Sequence, residues 1–137
     1  MTLGLALPAY SAGAATPAAS TTAQQANPFF AESPLALHYP QFDKIKDSDF
    51  APAFDAGMAQ QLKEIEAIAN NKAKPTFDNT IIALEKSGDI LDRATTVFFS
   101  LVGADTNDTR KKLQADYSAK FAAHSDAIAL NGKLFAR

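Results

Sequence analysis

Few residues in this chain could carry chemistry. His124, Ser125 and Asp126 are adjacent and provide the three residue types of a serine-hydrolase triad. The members of a triad converge in space from separate positions, whereas neighbouring residues on a helix point about 100° apart. We therefore expect His124 to border the hydrophobic core, and Ser125 and Asp126 to face solvent.

Metal-binding patterns are equally sparse. His38 and His124 are the 2 histidines, the cysteine count is 0, and an HExxH zinc motif is absent. Two groups of aspartates remain, namely Asp43, Asp47 and Asp49, and Asp105 with Asp108. They could ligate calcium, but neither group has the glycine-containing loop of an EF-hand, and both lie where helix caps are expected. We therefore assign no catalytic, cofactor-binding or metal-binding residue to this chain.

Composition excludes several classes of partner. The formal net charge is -2, and the basic residues are interleaved with acidic ones, so neither nucleic acid nor a membrane surface is a predicted partner. The 6 glycines are scattered and form no loop that could cradle phosphate. A chain of 137 residues, 47% of them hydrophobic, is long enough for one modest domain.

The N-terminal part of the chain differs from the rest in charge, because the first charged residue of the whole chain is Glu32. Residues 1–14 (MTLGLALPAYSAGA) combine a short apolar run, a proline and small residues, and predict a partial signal peptide for export to the periplasm. No Lys or Arg precedes the apolar run, so an alanine-rich disordered tail stays open as an alternative. Residues 15–28 are uncharged and rich in Ala, Ser, Thr and Gln, and predict a flexible linker.

Residues 29–137 predict an all-α domain, a helical hairpin array that is incomplete at its C-terminus. After an irregular aromatic segment, a first helix should be capped by the polar residues at 47–49 and should end near Asn70. Its apolar residues recur every three or four positions. They are Phe50, Phe54, Met58, Leu62, Ile65 and Ala69.

A second helix should begin at Asp78 or Thr80, end near Gly103 and carry apolar residues on two sides. A surface helix needs only one apolar face, so we expect this helix to be central. Ser87-Gly88 either breaks it or lets a neighbouring backbone come close. A third helix should be capped by Asp105 or Thr106 and should turn one line of largely apolar residues toward the core. The line is Leu113, Tyr117, Phe121, His124 and Ile128. The residues KLFAR should begin a fourth helix.

Five segments carry a family resemblance. They are NPFF (27–30), PQFDKIKDSDFAPAFDAGM (40–58), PTFDNTIIALEKSG (75–88), VFFSLVGADTND (97–108) and LNGKLFAR (130–137). In this order and spacing they resemble the N-terminal region of the M3 family of zinc metallopeptidases. The bacterial peptidyl-dipeptidases of that family are the most similar, and oligopeptidase A and thimet oligopeptidase are more distant.

The resemblance implies a much longer, two-lobed helical enzyme that releases dipeptides from the C-termini of short oligopeptides. Zn²⁺ in the complete enzyme would be held by an HExxH motif and a later Glu, none of which lies in this chain. The chain would then form part of the wall and lid of the substrate channel, inactive alone, with the missing C-terminal catalytic region as its partner. It should expose apolar surface and self-associate or stay loosely packed when isolated. The alternative is a free-standing helical binding or scaffold protein without catalytic activity.

Overall fold

The structure, a computed structural model, describes residues 27–137, and this part of the chain is helical with no strand. The helices are α1 (Asp47–Ala69), α2 (a π-helix, Phe77–Ile82, continued by an α-helical turn, Ala83–Glu85), α3 (Asp89–Ala104), α4 (Asp108–Ala129) and α5 (Gly132–Ala136). Two 3-10 turns, Pro28–Phe30 and Ala36–His38, precede them. The all-α prediction is confirmed. The predicted signal peptide (1–14) and all but two residues of the predicted linker (15–28) lie outside the described residues.

Helix α1 lies at the centre of the described fold. It runs antiparallel to α3, because Phe54 contacts Phe98 near one end of the pair and Glu64 bonds to Gly88 near the other. It runs parallel to α4 and is also contacted by α5. The prediction that the second helix is central is therefore wrong for this part of the chain. Apolar periodicity shows how much surface a helix can bury, but not which neighbour covers it.

The core is built from aromatic rings. Phe50 and Phe54 of α1 and Phe98 of α3 are completely buried. The ring of Phe54 also lies 5.1 Å from Tyr117 and 5.0 Å from Phe121, both on α4. Most of these rings meet edge to face, a geometry favoured by the quadrupoles of aromatic rings. The predicted inward lines of the first and third helices thus meet in one aromatic cluster.

The connection between α2 and α3 answers the question that Ser87-Gly88 poses in the sequence. Gly88 has a φ of 83°, in the left-handed region that favours glycine, so the helix breaks there. A neighbouring helix also comes close, since the backbone N–H of Gly88 donates to Glu64 Oε2 at 2.8 Å. A Cβ at Gly88 would lie 2.4 Å from Nε2 of Gln61. The break is therefore the alternative that the structure shows, because the atoms closest to Gly88 belong to the side chains of Gln61 and Glu64 and not to a neighbouring backbone.

The observed helix starts differ from the predicted ones. Lys46 is the N-cap of α1, and the carboxylate of Asp49 accepts its backbone N–H at 2.8 Å. Thr76 caps α2 and Asn107 caps α4, each accepting a backbone N–H three residues later. The predicted caps of the second and third helices, Asp78 or Thr80 and Asp105 or Thr106, are wrong. Within residues 27–137, no helix has both the length and the apolar character needed to cross a bilayer.

Candidate interaction surfaces

His124 is the buried histidine of the chain, and Gln61 orients it. Nε2 of His124 lies 2.7 Å from Oε1 of Gln61. The other end of the same amide, Nε2 of Gln61, donates to the carbonyl oxygen of Ser87 at 3.4 Å. Because the Gln61 oxygen can only accept, Nε2 of His124 carries the hydrogen and donates it. A polar chain thus links α4, α1 and the break between α2 and α3.

The second ring nitrogen of His124 has no partner. Nδ1 is buried and makes no hydrogen bond in the described fold. Burial lowers the pKa of His124 below its ordinary value of 6.5, because a charged imidazolium would lose its hydration there. The histidine is consequently held neutral, with a structural role in the contact between α1 and α4.

This environment predicts a pH-dependent stability. The unfolded chain takes up a proton at His124 more readily than the folded chain, so stability is present above the ordinary histidine pKa and falls as pH drops through it. The urea midpoint should therefore decrease between about pH 8 and about pH 5. Circular dichroism of the wild type and of His124→Gln measures this, and the variant should show a flatter pH profile.

The matched control is His38→Gln, which removes the exposed histidine and keeps His124, so that the pH dependence assigned to His124 should persist in this variant. Asp47 does not interfere in this pH range. Burial alone would raise the pKa of Asp47, but hydrogen bonds from Asn107 and Arg110 outweigh burial, and the pKa lies below 3.8. Equal pH dependence in wild type and His124→Gln would contradict the assigned role of His124.

No triad is assembled around His124. Ser125 and Asp126 are exposed, while His124 points at Gln61 instead. A groove of about 600 Å³ lies beside this histidine, between α1, α3 and α4. The groove is lined by carboxylates, hydroxyls and two aromatic rings, without a second histidine to share a proton. It is lined by Gln61, Glu85, Ser87, Gly88, Asp89, Leu91, Asp92, Thr95, Thr96, Phe99, Phe121, His124 and Ser125.

The aspartates of interest make structural contacts. Asp47 accepts from Nε of Arg110 at 2.7 Å and from Nδ2 of Asn107 at 2.7 Å, which fixes the start of α4 against the start of α1. Asp49 accepts the backbone N–H of Lys46, the N-cap of α1, and Asp108 lies in the first turn of α4, where the positive helix end favours an acid. Arg110 also donates to the carbonyl oxygen of Asp105. These aspartates therefore have structural roles near helix starts, but the N-caps themselves are neighbouring residues, Lys46 and Asn107.

The described residues do not fit a zinc site. No group of three or more histidine, cysteine, aspartate or glutamate side chains in residues 27–137 is arranged to hold a metal ion. His38 and His124 lie in separate parts of the fold, and each contacts a different neighbour. A zinc ion usually takes at least three protein ligands, so nothing here supplies a first coordination shell.

Exposed apolar side chains are a more prominent feature of the surface than the polar groups around His124. One group lies in the loop 33–42, where Leu37 is 97% exposed. Another lies where α2 begins and the chain ends, and there Phe135 is 93% exposed. Arg137 joins these latter segments, because its guanidinium donates to Oδ1 of Asn79 at 3.0 Å. The exposed large apolar residues are Leu35, Leu37, Tyr39, Phe42, Leu62, Phe77, Ile81, Phe99, Leu130 and Phe135.

Sequence reasoning identified only part of this surface. Phe77 and Ile81 lie at the start of the predicted second helix, and both are exposed, in keeping with the expectation that the isolated chain exposes apolar surface. The loop 33–42 carried no helical or strand period, so its exposed leucines gave no pattern to read. A run of apolar residues between prolines was the available signal.

Comparison with known proteins places these observations in a family context. Two curated relatives, the dipeptidyl carboxypeptidases of Salmonella typhimurium and Escherichia coli, are 50% and 49% identical to this chain over 111 residues. The chain is a relative of these dipeptidyl carboxypeptidases. A scan of the sequence against protein-family models finds no match.

The match covers most of this chain but only a small part of each relative. The match covers 81% of this chain but 16% of each dipeptidyl carboxypeptidase. The chain thus spans about one sixth of the length of these relatives. Range 27–137, which carries the sequence resemblance, is also 111 residues long. Any match of 111 residues within a chain of 137 includes the central core residues Phe50, Phe54 and Phe98, so the core has a counterpart inside a much larger dipeptidyl carboxypeptidase.

Proposed function

We propose that this chain is the N-terminal helical segment of a zinc peptidyl-dipeptidase of the M3 family, which releases dipeptides from the C-termini of short oligopeptides. The observation that carries the proposal is an identity of 50% over 111 residues with a protein of which the chain covers 16%. The catalytic HExxH would lie in the remaining polypeptide, and this chain alone would be inactive.

Within such an enzyme, the segment would form part of the wall and lid of the substrate channel. An aromatic core around Phe54 would give that wall rigidity, and exposed apolar residues such as Phe77 and Phe135 would contact the rest of the enzyme. A closed channel excludes folded proteins and keeps bulk water from the reacting bond. The role is therefore selection by size, without direct participation in bond cleavage.

We further propose that the protein is exported to the periplasm. The support is the signal-like composition of residues 1–14 and the uncharged stretch 15–28 that follows. Fractionation of cells that express the complete gene tests this, with loss of residues 1–14 from the mature protein as the expected result. An intact N-terminus in a cytoplasmic fraction would contradict it.

A hybrid enzyme tests the proposed function. In the Escherichia coli dipeptidyl carboxypeptidase, the segment matched by this chain is replaced by residues 27–137, and dipeptide release from a short N-blocked peptide is followed by chromatography. We expect the hybrid to fold and to release dipeptides, whereas the same enzyme with the segment simply deleted should lose this activity. The isolated 137-residue chain should show none.

Two outcomes would contradict the proposal. A hybrid no more active than the deletion variant would mean that the segment cannot serve in a peptidase. Dipeptide release by the isolated chain would mean that its own residues are catalytic.

The DNA sequence downstream of Arg137 gives an independent check. A reading frame that continues into an HExxH motif supports the peptidase, and an immediate stop codon favours the alternative of a free-standing helical binding or scaffold protein.

A further inference from the structure

The loop 33–42 is closed by its own hydrogen bonds. The hydroxyl of Ser33 donates to the carbonyl oxygen of Tyr39 at 2.6 Å and accepts the backbone N–H of Leu35 at 3.3 Å. Nδ1 of His38 lies 3.1 Å from the carbonyl oxygen of Ser33. The loop is therefore a folded element, held at its neck by Ser33.

The tip of this loop has a backbone conformation that few residues adopt. Leu37 and His38 have φ values of 55° and 54°, in the left-handed region where a Cβ meets the backbone. Strain of this kind persists only where surrounding contacts determine the conformation, and it clusters at functional sites. Its effect here is to place Leu37 at the apex, where 97% of the residue is exposed.

The base of the loop is anchored in the core. Phe29 is buried with its ring centroid 5.2 Å from that of Phe50, and Arg93 donates to the carbonyl oxygen of Phe29 at 3.2 Å. Asn27 donates to the carbonyl oxygen of Asp49 at 2.8 Å. On the other side of the loop, Ile45 packs against the same cluster. The leucine at the apex is thus presented from a fixed base.

We propose that the loop 33–42 is a docking loop, and that Leu37 inserts into an apolar pocket on the remaining polypeptide of the parent peptidase. This inference rests on the proposed function. The loop contains no Asp, Glu, Lys or Arg, and its exposed side chains Leu35, Leu37 and Tyr39 favour an apolar partner. The relatives are long enough to supply that partner, because the chain covers 16% of them.

A partner within the same polypeptide fits the size of the contact. Three side chains, Leu35, Leu37 and Tyr39, present far less surface than the roughly 800 Å² per partner of a standard interface between separate chains. Tethering of the two parts raises their effective concentration, so a small contact suffices. A second copy of the chain would need a larger surface.

Two substitutions at one position test the docking loop. Asparagine adopts the left-handed conformation readily, so Leu37→Asn keeps the backbone and removes the apolar side chain. Leu37→Met keeps an apolar side chain of similar volume. Each is introduced into the hybrid enzyme and into the 137-residue chain, and the melting temperature of all four proteins is compared with that of its parent.

The expected result is a difference between the two contexts. Leu37→Asn should lower the melting temperature of the hybrid by several degrees, while Leu37→Met leaves it nearly unchanged. In the isolated chain, where Leu37 faces solvent, Leu37→Asn should leave the melting temperature unchanged or raise it slightly.

Three results would overturn the docking loop. If Leu37→Asn has the same effect in both contexts while the hybrid is active, the loop does not dock and the proposed function stands. If Leu37→Asn abolishes self-association of the isolated chain in sedimentation, the contact is between copies. If the hybrid does not fold or cleave peptides, the proposed function fails and the docking loop fails with it.

Discussion

Replacing Phe54 with alanine is expected to lower the free energy of unfolding by roughly 3–5 kcal/mol, the range for loss of a buried aromatic side chain. Phe54 is completely buried, and its ring lies within 5.2 Å of Phe98, Tyr117 and Phe121, which come from two other helices. The substitution would leave a cavity where α1, α3 and α4 meet. Domains of this size are stable by only about 5–15 kcal/mol, so this substitution would remove a large share of the stability.

Urea denaturation followed by circular dichroism measures this effect, with wild type and variant at the same low protein concentration. The matched control is Phe135→Ala, which deletes the same side chain where it is 93% exposed. That control should change stability by no more than about 0.5 kcal/mol. Equal effects of the two substitutions would show that the aromatic cluster is not the core of the isolated chain.

The long helices were accessible from the sequence because apolar periodicity is a local property. Phe50, Phe54 and Ile65 recur at helical spacing and are all buried. Helix starts were less accessible, since several polar residues near each start could serve as the cap. A long-range contact distinguishes Asn107 from its neighbours: its side chain accepts the N–H of Arg110 and also donates to Asp47, 60 residues away.

The candidate interaction surface was harder to predict than the helices. The structural role expected for His124 followed from its place in the apolar line of the third helix, but its partner Gln61 lies 63 positions away and had no local signal. The left-handed backbone at Leu37 was also unexpected, because leucine rarely adopts it. Such a conformation is set by contacts around the loop, including the bond from Ser33 to Tyr39.

A close approach between the backbones of α1 and α3 predicts the second large effect. Gly57 of α1 is buried, and a Cβ built there would lie 2.8 Å from the backbone nitrogen of Leu91 and 2.9 Å from its Cα. Backbone atoms cannot move aside as a side chain can, so Gly57→Ala must push α1 away from α3. Overpacking of this kind destabilises by about 1–3 kcal/mol. The urea midpoint of the variant should fall accordingly.

The same substitution at Gly103 isolates the contribution of helix propensity. Gly103 lies in the last turn of α3, and a Cβ there would have no atom within 4 Å. Alanine is a better helix former than glycine by up to about 1 kcal/mol, so Gly103→Ala should stabilise the chain slightly. Gly57→Ala receives the same propensity gain and should still be destabilising, which makes the difference between the two variants a measure of the steric cost. If both variants were stabilising, α1 and α3 would not be in close backbone contact. The wall proposed for the peptidase would then lack the close contact between α1 and α3 at Gly57.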